Sequence, residues 1–246
     1  MTDLADGNWL FLLAHPDDDA LIAGSIRELV RRGQPVQLAW VTDSSSLGGR
    51  LRRQAECRGV GHVLGVPQEN LHFLDLPSLE MVPQLAAGAE QMTRFLSALQ
   101  PSHLMTVAFE AGHIDHDCLN FLTYEARFRA GLKAPLFEFP LYTGQGGGFH
   151  VNRFFGPHLR QTLSAEALER KRLTMQLYAS QWPYMWVANW VTGRRLWEPY
   201  RLCPPERDHR LPPHSGSLNI DRIYNRFMRY RFADFARQVE KVRTYS

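Results

Sequence analysis

The chain has 246 residues, 44% of them hydrophobic and 22% charged, with a net charge of +3, which is long enough for one large α/β domain or two small ones. Arginine is dense only at Arg50, Arg52 and Arg53, too little for nucleic-acid binding by phosphate neutralisation. No apolar run approaches the ~20 residues of a membrane span, the N-terminal "MTDLADGNW" lacks a signal-peptide layout, and the widely spaced Cys57, Cys118 and Cys203 form no disulfide framework. The expectation is a cytoplasmic protein with neither nucleic acid nor membrane as partner.

In chain order, "NWLFLLA" (8–14) is a continuous apolar run, as expected of a central parallel strand. Ala20 to Arg32 carries Leu21, Ile22, Ile26, Leu29 and Val30 at helical spacing, stopped by Gly33 and Pro35. "VQLAWVT" (36–42) is the second strand, a partly amphipathic helix follows from about Gly49 to Leu64, and "LHFLDL" (71–76) is the third strand. From Val82 to Leu99 the spacing of Leu85, Ala89, Met92, Leu96 and Leu99 predicts a long amphipathic helix. "HLMTVAF" (103–109), a helix over about His116–Arg129 and "LFEFPLY" (136–142) complete the alternation.

Such alternation predicts an α/β fold, a Rossmann-like sandwich with a mostly parallel central sheet and helices on both faces. The expectation is a single domain over 1–246, with a core over about 8–142 and an irregular, partly helical C-terminal appendage over about 143–246. "GQGGG" (144–148) lacks the residues and spacing of a phosphate loop and is read as a flexible connection. The last stretch, from Asn219, looks helical by Ile223, Phe227, Tyr230 and Phe232, and the appendage is expected to cover the functional rim of the sheet. Tyr178, Trp182, Trp186 and Trp190 recur every four residues, which favours a buried helical stripe over an aromatic wall against a sugar.

Ligands of such sheets sit outside the carboxyl ends of the strands. "HPDDD" (15–19) follows the first strand, Asp43 the second, and "EAGHIDHD" (110–117) the fourth, so two His/Asp clusters share one rim. Crowded carboxylates beside a core repel one another and are costly to desolvate; a cation offsets both costs. Two histidines and a carboxylate with one open position is a known ligand set of catalytic zinc. The candidates are His15, Asp18 and His116, with Asp17, Asp19, His113 and Asp115 around them, and Asp17 and Asp18 diverge enough for one to ligate while the other faces water. Asp19 is expected to cap the helix that follows. Arg53 reads equally as an exposed helix residue or a substrate contact, Asp43 as a site-lining residue or a turn, and Cys118 as a packed helix residue.

"AHPDD" after the first strand and "GHIDHD" near residue 113, with "VTD" (41–43), "RQAE" (53–56), "LGV" (64–66) and "YASQ" (178–181), resemble the PIG-L/LmbE family of zinc-dependent N-acetylglucosaminyl deacetylases. The resemblance implies one zinc ion held by His15, Asp18 and His116, with Asp17 as general base; the same ligands also suit other divalent transition metals such as ferrous iron or cobalt. It implies that His113 stabilises the tetrahedral intermediate or protonates the leaving amine, that Asp115 orients His113 and favours its charged form, and that Arg53 contacts substrate. Asp19 stands where Glu is common, Ile114 replaces the usual Pro, and Ala111 stands where some relatives carry a tyrosine that helps hold the oxyanion. The expected function is removal of acetyl from an N-acetylated amino sugar or sugar conjugate. A glycosyltransferase using the Asp run to hold a nucleotide-sugar's cation, and a non-catalytic sugar-binding protein, are the alternatives.

Overall fold

The structure, a computed structural model, describes residues 3–43, 49–215, 218–222 and 229–244. The five parallel strands are β1 (Trp9–Leu13), β2 (Val36–Thr42), β3 (Leu71–Leu76), β4 (His103–Val107) and β5 (Leu136–Phe139). They are joined in turn by α1 (Ala23–Arg31), α2 (Arg50–Leu64), α3 (Leu85–Leu99) and α4 (Ile114–Arg129). All five residues of β1 are buried, as a strand covered on both faces requires. The right-handed rule for parallel crossovers places α1 and α2 on one face of the sheet and α3 and α4 on the other.

The chain continues through the short strands β6 (Tyr142–Thr143), β7 (His150–Val151) and β8 (Leu159–Thr162), then α5 (Ala165–Leu177), α6 (Trp182–Thr192), β9 (Trp197–Leu202), α7 (Asn219–Arg222) and α8 (Phe232–Thr244). The sheet has seven strands in the order β3-β2-β1-β4-β5-β9-β8, and β9 runs antiparallel to both β5 and β8. The mostly parallel Rossmann-like sandwich is therefore present. Residues beyond 143 do more than cover its rim: β9 and β8 extend the sheet, α5 packs on α1 and α2, and α8 packs on α3 and α4. An antiparallel strand such as "WEPYRL" tolerates Pro199, Glu198 and Arg201, so it lacks the apolar run that marks the inner strands.

The helix expected from Ala20 is in two pieces, a 3-10 turn over Asp18–Leu21 and then α1, with the break at Ile22. Ile22 offers α1 no side-chain cap. Glu198 of β9 supplies one instead, accepting from the Gly24 and Ser25 backbone N–H groups at 3.1 and 2.7 Å and from the Ser25 hydroxyl at 2.6 Å. Lys171 of α5 donates to the same carboxylate at 2.7 Å, and neither side chain of the pair reaches solvent. One hydrophobic core extends from Leu4 to Val242 through both halves of the chain.

One expectation about the tail is revised. Of the last stretch, Asn219–Arg222 and Phe232–Thr244 are helical and Tyr230 lies in a bend, while Ile223 and Phe227 lie outside the described residues. The aromatic stripe is not core: Tyr178 is buried, but Trp182, Trp186 and Trp190 are 69%, 67% and 79% exposed. Helix α6 buries Met185, Ala188 and Thr192 instead, a face offset from the stripe. Cys118 is a packed residue of α4, and no described helix is long and apolar enough to cross a membrane.

Candidate active site

Strand order reverses between β1 and β4, which pair in parallel with Leu12 beside Thr106. Such a reversal leaves a crevice at the carboxyl ends of the two strands. His15 leaves β1 two residues past its end, and His116 stands in the first turn of α4, so clusters 101 positions apart face one another.

The three aspartates go three ways because the backbone turns sharply at Asp17, whose φ is 108°. That conformation is rare and strained for a residue with a Cβ. Asp18 turns back to the histidines. Its carboxylate accepts the His15 backbone N–H at 2.8 Å and lies 3.3 Å from His116 Nε2 and 3.9 Å from His15 Nδ1. His15 Nδ1 and His116 Nε2 are 3.2 Å apart. A tetrahedral ion with bonds of about 2.0–2.1 Å holds its ligand atoms about 3.3 Å from one another; His116 Nε2 has that spacing to His15 Nδ1 and to Asp18 Oδ1, while His15 Nδ1 is 3.9 Å from the other Asp18 oxygen. His113 also belongs to a histidine group, with His15 and His116, whose nitrogens lie within 4.8 Å of one another.

Asp115 fixes the tautomer of His15. Its carboxylate lies 2.9 Å from His15 Nε2 and accepts from the Ser78 hydroxyl and the Leu79 N–H at 3.1 and 2.8 Å. The His15 proton thus sits on Nε2 and the Nδ1 lone pair faces Asp18 and His116, as in carboxylate–histidine–metal arrangements. Burial opposes charge on both members of this pair, yet their mutual bond keeps Asp115 low and raises His15. The Asp18 carboxyl is driven down to about 2: burial would raise it, and His116 and His15 outweigh that.

His113 caps α4, its Nδ1 accepting the Asp115 backbone N–H at 3.2 Å. The orienting group is therefore the Asp115 main chain, since the carboxylate is engaged by His15. Burial first, then His15 and His116, push the His113 pKa well below its ordinary value. The neutral ring is the favoured form, with its proton on Nε2.

Burial, reinforced by Asp18, lifts the Asp17 carboxyl to about 7 against the pull of Arg53. Arg53 is 2% exposed, which removes the exposed-face reading. Its guanidinium donates to the Pro16 carbonyl, to Asp17 Oδ1 at 3.2 Å and to the Ser180 hydroxyl at 3.2 Å. Glu56 accepts from the Ser180 N–H and hydroxyl at 2.9 and 2.6 Å. Asp43 is outside the histidine cluster; it accepts the Ser78 N–H at 3.2 Å and so braces the loop whose Leu79 N–H holds Asp115.

Asp19 does not cap a helix with its side chain. It is fully buried and accepts from the Tyr178 hydroxyl at 2.6 Å and Trp40 Nε1 at 3.0 Å. Tyr178→Phe removes one of these partners from a buried carboxyl, and the expected loss is about 1–3 kcal/mol in urea unfolding; an unchanged midpoint would show the bond to be idle. Tyr142 was also missed by reading the sequence. Its ring lies 5.3 Å from that of His116, and burial followed by Asp18 and Asp17 pushes its hydroxyl well above the ordinary range. Both tyrosines reach the site from beyond the two clusters; "YASQ" was the one signal for Tyr178, and nothing local marked Tyr142.

Residues 10–127 match the model of the PIG-L family, described as GlcNAc-PI de-N-acetylase. No curated protein matches the chain. Among solved structures it is similar to the A40926 pseudoaglycone deacetylase Dbv21, at 16% identity and a TM-score of 0.64, over 81% of this chain and 98% of that one. It is similar to N,N'-diacetylchitobiose deacetylase from Pyrococcus horikoshii, at 19% identity and 0.56, over 81% and 85%. It is also similar to GalB, a 4-carboxy-2-hydroxymuconate hydratase from Pseudomonas putida KT2440, at 15% identity and 0.60, over 81% and 98%. One fold thus carries different chemistries.

Proposed function

The chain belongs, through residues 10–127, to the PIG-L family, and from that premise we propose that it is a zinc-dependent hydrolase that removes the acetyl group from an N-acetylated amino sugar or sugar conjugate. The observation that carries the reading is the gathering of His15 Nδ1, the two Asp18 oxygens and His116 Nε2 at contacts of 3.2–3.9 Å, with the carboxyl of the preceding residue, Asp17, turned away and held by Arg53. His15, Asp18 and His116 would hold the ion; when bound, zinc supplies Lewis acidity that polarises a carbonyl and acidifies water.

The chain's own groups divide the remaining work. Asp17 accepts the proton of the attacking water, and its carboxyl at about 7 suits a general base near neutrality. Arg53 holds that carboxylate in place from a buried position. Neutral His113, its Nδ1 occupied, donates from Nε2 to the oxygen that gains negative charge as water adds to the amide. Asp115 keeps His15 in the tautomer a metal ligand needs. Arg53 touching substrate directly is part of this proposal, as is Asp43 bracing the rim from the loop after β3.

The glycosyltransferase alternative needs the aspartates to share one cation. Asp18 turns to the histidines, Asp17 to Arg53 and Asp19 to Tyr178 and Trp40, which disfavours that reading. A sugar-binding protein without turnover leaves the Arg53–Asp17 pair without a purpose. The three cysteines are free and buried, which accords with a reducing compartment such as the cytoplasm.

The test is metal content, beside acetate release from N-acetylated sugars. Dialysed wild-type protein is expected to retain about one zinc per chain, and His116→Ala to lose it together with activity. Retention unchanged by that substitution would separate the two clusters and end the proposal.

A further inference from the structure

The glycine run at 144–148 plays no part in the chemistry above, yet its position is informative. It is the turn between β6 and β7, which pair antiparallel with Tyr142 opposite Val151 and Thr143 opposite His150. Gly146, Gly147 and Gly148 have φ of 77°, 81° and 110°, a run of conformations that residues with a Cβ rarely adopt. The turn returns the chain so that Phe149 stacks on Tyr142, with ring centres 5.5 Å apart and planes 28° from parallel. Tyr142 in turn lies 5.3 Å from the ring of His116. Three rings therefore form a ladder from a metal-ligand residue outward.

The inner end of this ladder is fixed. The Glu110 carboxylate accepts the Leu141 and Tyr142 N–H groups at 2.9 and 3.2 Å. Gly112 leaves room for Tyr142, because a Cβ there would stand 2.1 Å from the Tyr142 carbonyl oxygen. The outer end is open. Phe149 is 62% exposed, so the stack covers one face and leaves the other in water. A phenyl ring held mostly in water gains little from folding; what its stack on Tyr142 secures is orientation.

We infer that Tyr142 and Phe149 form an aromatic subsite that takes a second ring of the substrate, the unit attached to the N-acetylated sugar, through a flat apolar face. This rests on the deacetylase reading, which puts the acetamido group at His15, Asp18 and His116 and so directs the rest of the molecule along the ladder. A pyranose presents a face of C–H bonds and an aryl aglycone a π face; either packs on a phenyl ring in the offset geometry aromatic contacts prefer. A single free amino sugar reaches Tyr142 and ends there.

Binding to the zinc-loaded protein tests this without turnover. Calorimetry would compare glucosamine with a β-linked glucosamine disaccharide and with phenyl β-glucosaminide. The wild type is expected to prefer the two-ring ligands by about two- to tenfold, the strength of one aromatic contact. In Phe149→Ala that ratio falls to about one, and in Phe149→Trp it persists, whereas a merely structural role would weaken all three ligands alike. Preference for the disaccharide alone assigns the subsite to a second sugar, and preference for the phenyl glycoside alone assigns it to an aryl aglycone. Equal affinities in the wild type, no binding of any of the three, or a ratio that survives Phe149→Ala would each overturn the inference. Should the ratios behave as expected while the N-acetylated forms release no acetate, the subsite stands and the deacetylase reading falls.

Discussion

Asp17→Asn is expected to lower the rate of acetate release by about 10²–10⁴-fold while zinc content and unfolding midpoint stay at wild-type values. The substitution is nearly isosteric, and Asn is among the residues that tolerate positive φ, so the 108° backbone at this position survives it. The Arg53 guanidinium still finds an oxygen to donate to. What disappears is the ability to accept a proton from water. Alanine would be a poorer probe, because it would also empty the pocket beside Arg53 and leave a buried cation without its partner.

The pH profile supplies a second readout. A general base works deprotonated, and the Asp17 carboxyl is lifted to about 7, by burial first. The wild-type rate therefore falls as pH drops through that region, and a bound dication draws the limb to lower pH by favouring the carboxylate. In Asp17→Asn this acid limb is lost, and the small residual rate loses the dependence Asp17 imposes. A variant within tenfold of wild type, or one that keeps the same limb, would remove Asp17 from the role of base.

Glu198→Gln is expected to cost about 3–5 kcal/mol of folding stability, the usual penalty for leaving a buried charge unpaired. Lys171 and Glu198 are 2.7 Å apart with no solvent access to either. Burial holds the Lys171 pKa below its ordinary value even with this partner present. The amide keeps one accepting oxygen where the carboxylate has two, Oε1 toward Gly24 and Lys171 and Oε2 toward Ser25, so the variant loses the charge together with part of the helix cap. Adding Lys171→Met removes the stranded ammonium, and the double variant is expected to recover much of the deficit. Urea unfolding of the wild type, Glu198→Gln, Lys171→Met and the double variant settles the matter: losses that simply add would mean that the two groups do not act as a pair.

The sequence made the parallel half of this molecule legible because buried strands and two-faced helices leave periodic marks. The apolar run at 8–14 and the spacing of Leu85, Ala89, Met92 and Leu96 are such marks. The shared rim of His15 and His116 followed from topology alone. Their contact depends on β1 and β4 being neighbours, which is a property of strand order and leaves no local trace. Asp19 misled because a carboxylate at the start of a helix usually caps it; here Tyr178 and Trp40, distant in sequence, supply better donors. The tryptophans misled for the opposite reason, since their four-residue spacing marks one side of a helix without saying which side is packed. Asp115 was placed in the site but given the wrong partner, because adjacency to His113 in sequence brings its backbone there and leaves its side chain to His15.

The cap on α1 has a further consequence, for synthesis. A ribosome releases β1 through β5 and both His/Asp clusters, His15 to Asp18 and His113 to His116, well before Glu198 emerges. Until it does, the first helix has no partner for its Gly24 and Ser25 N–H groups, and β5 is an open edge awaiting β9. Nascent chains halted near residue 140 would thus hold both His/Asp clusters in an unfinished sandwich, with an unpaired strand that invites association. For this protein the chemistry is written early and becomes usable late.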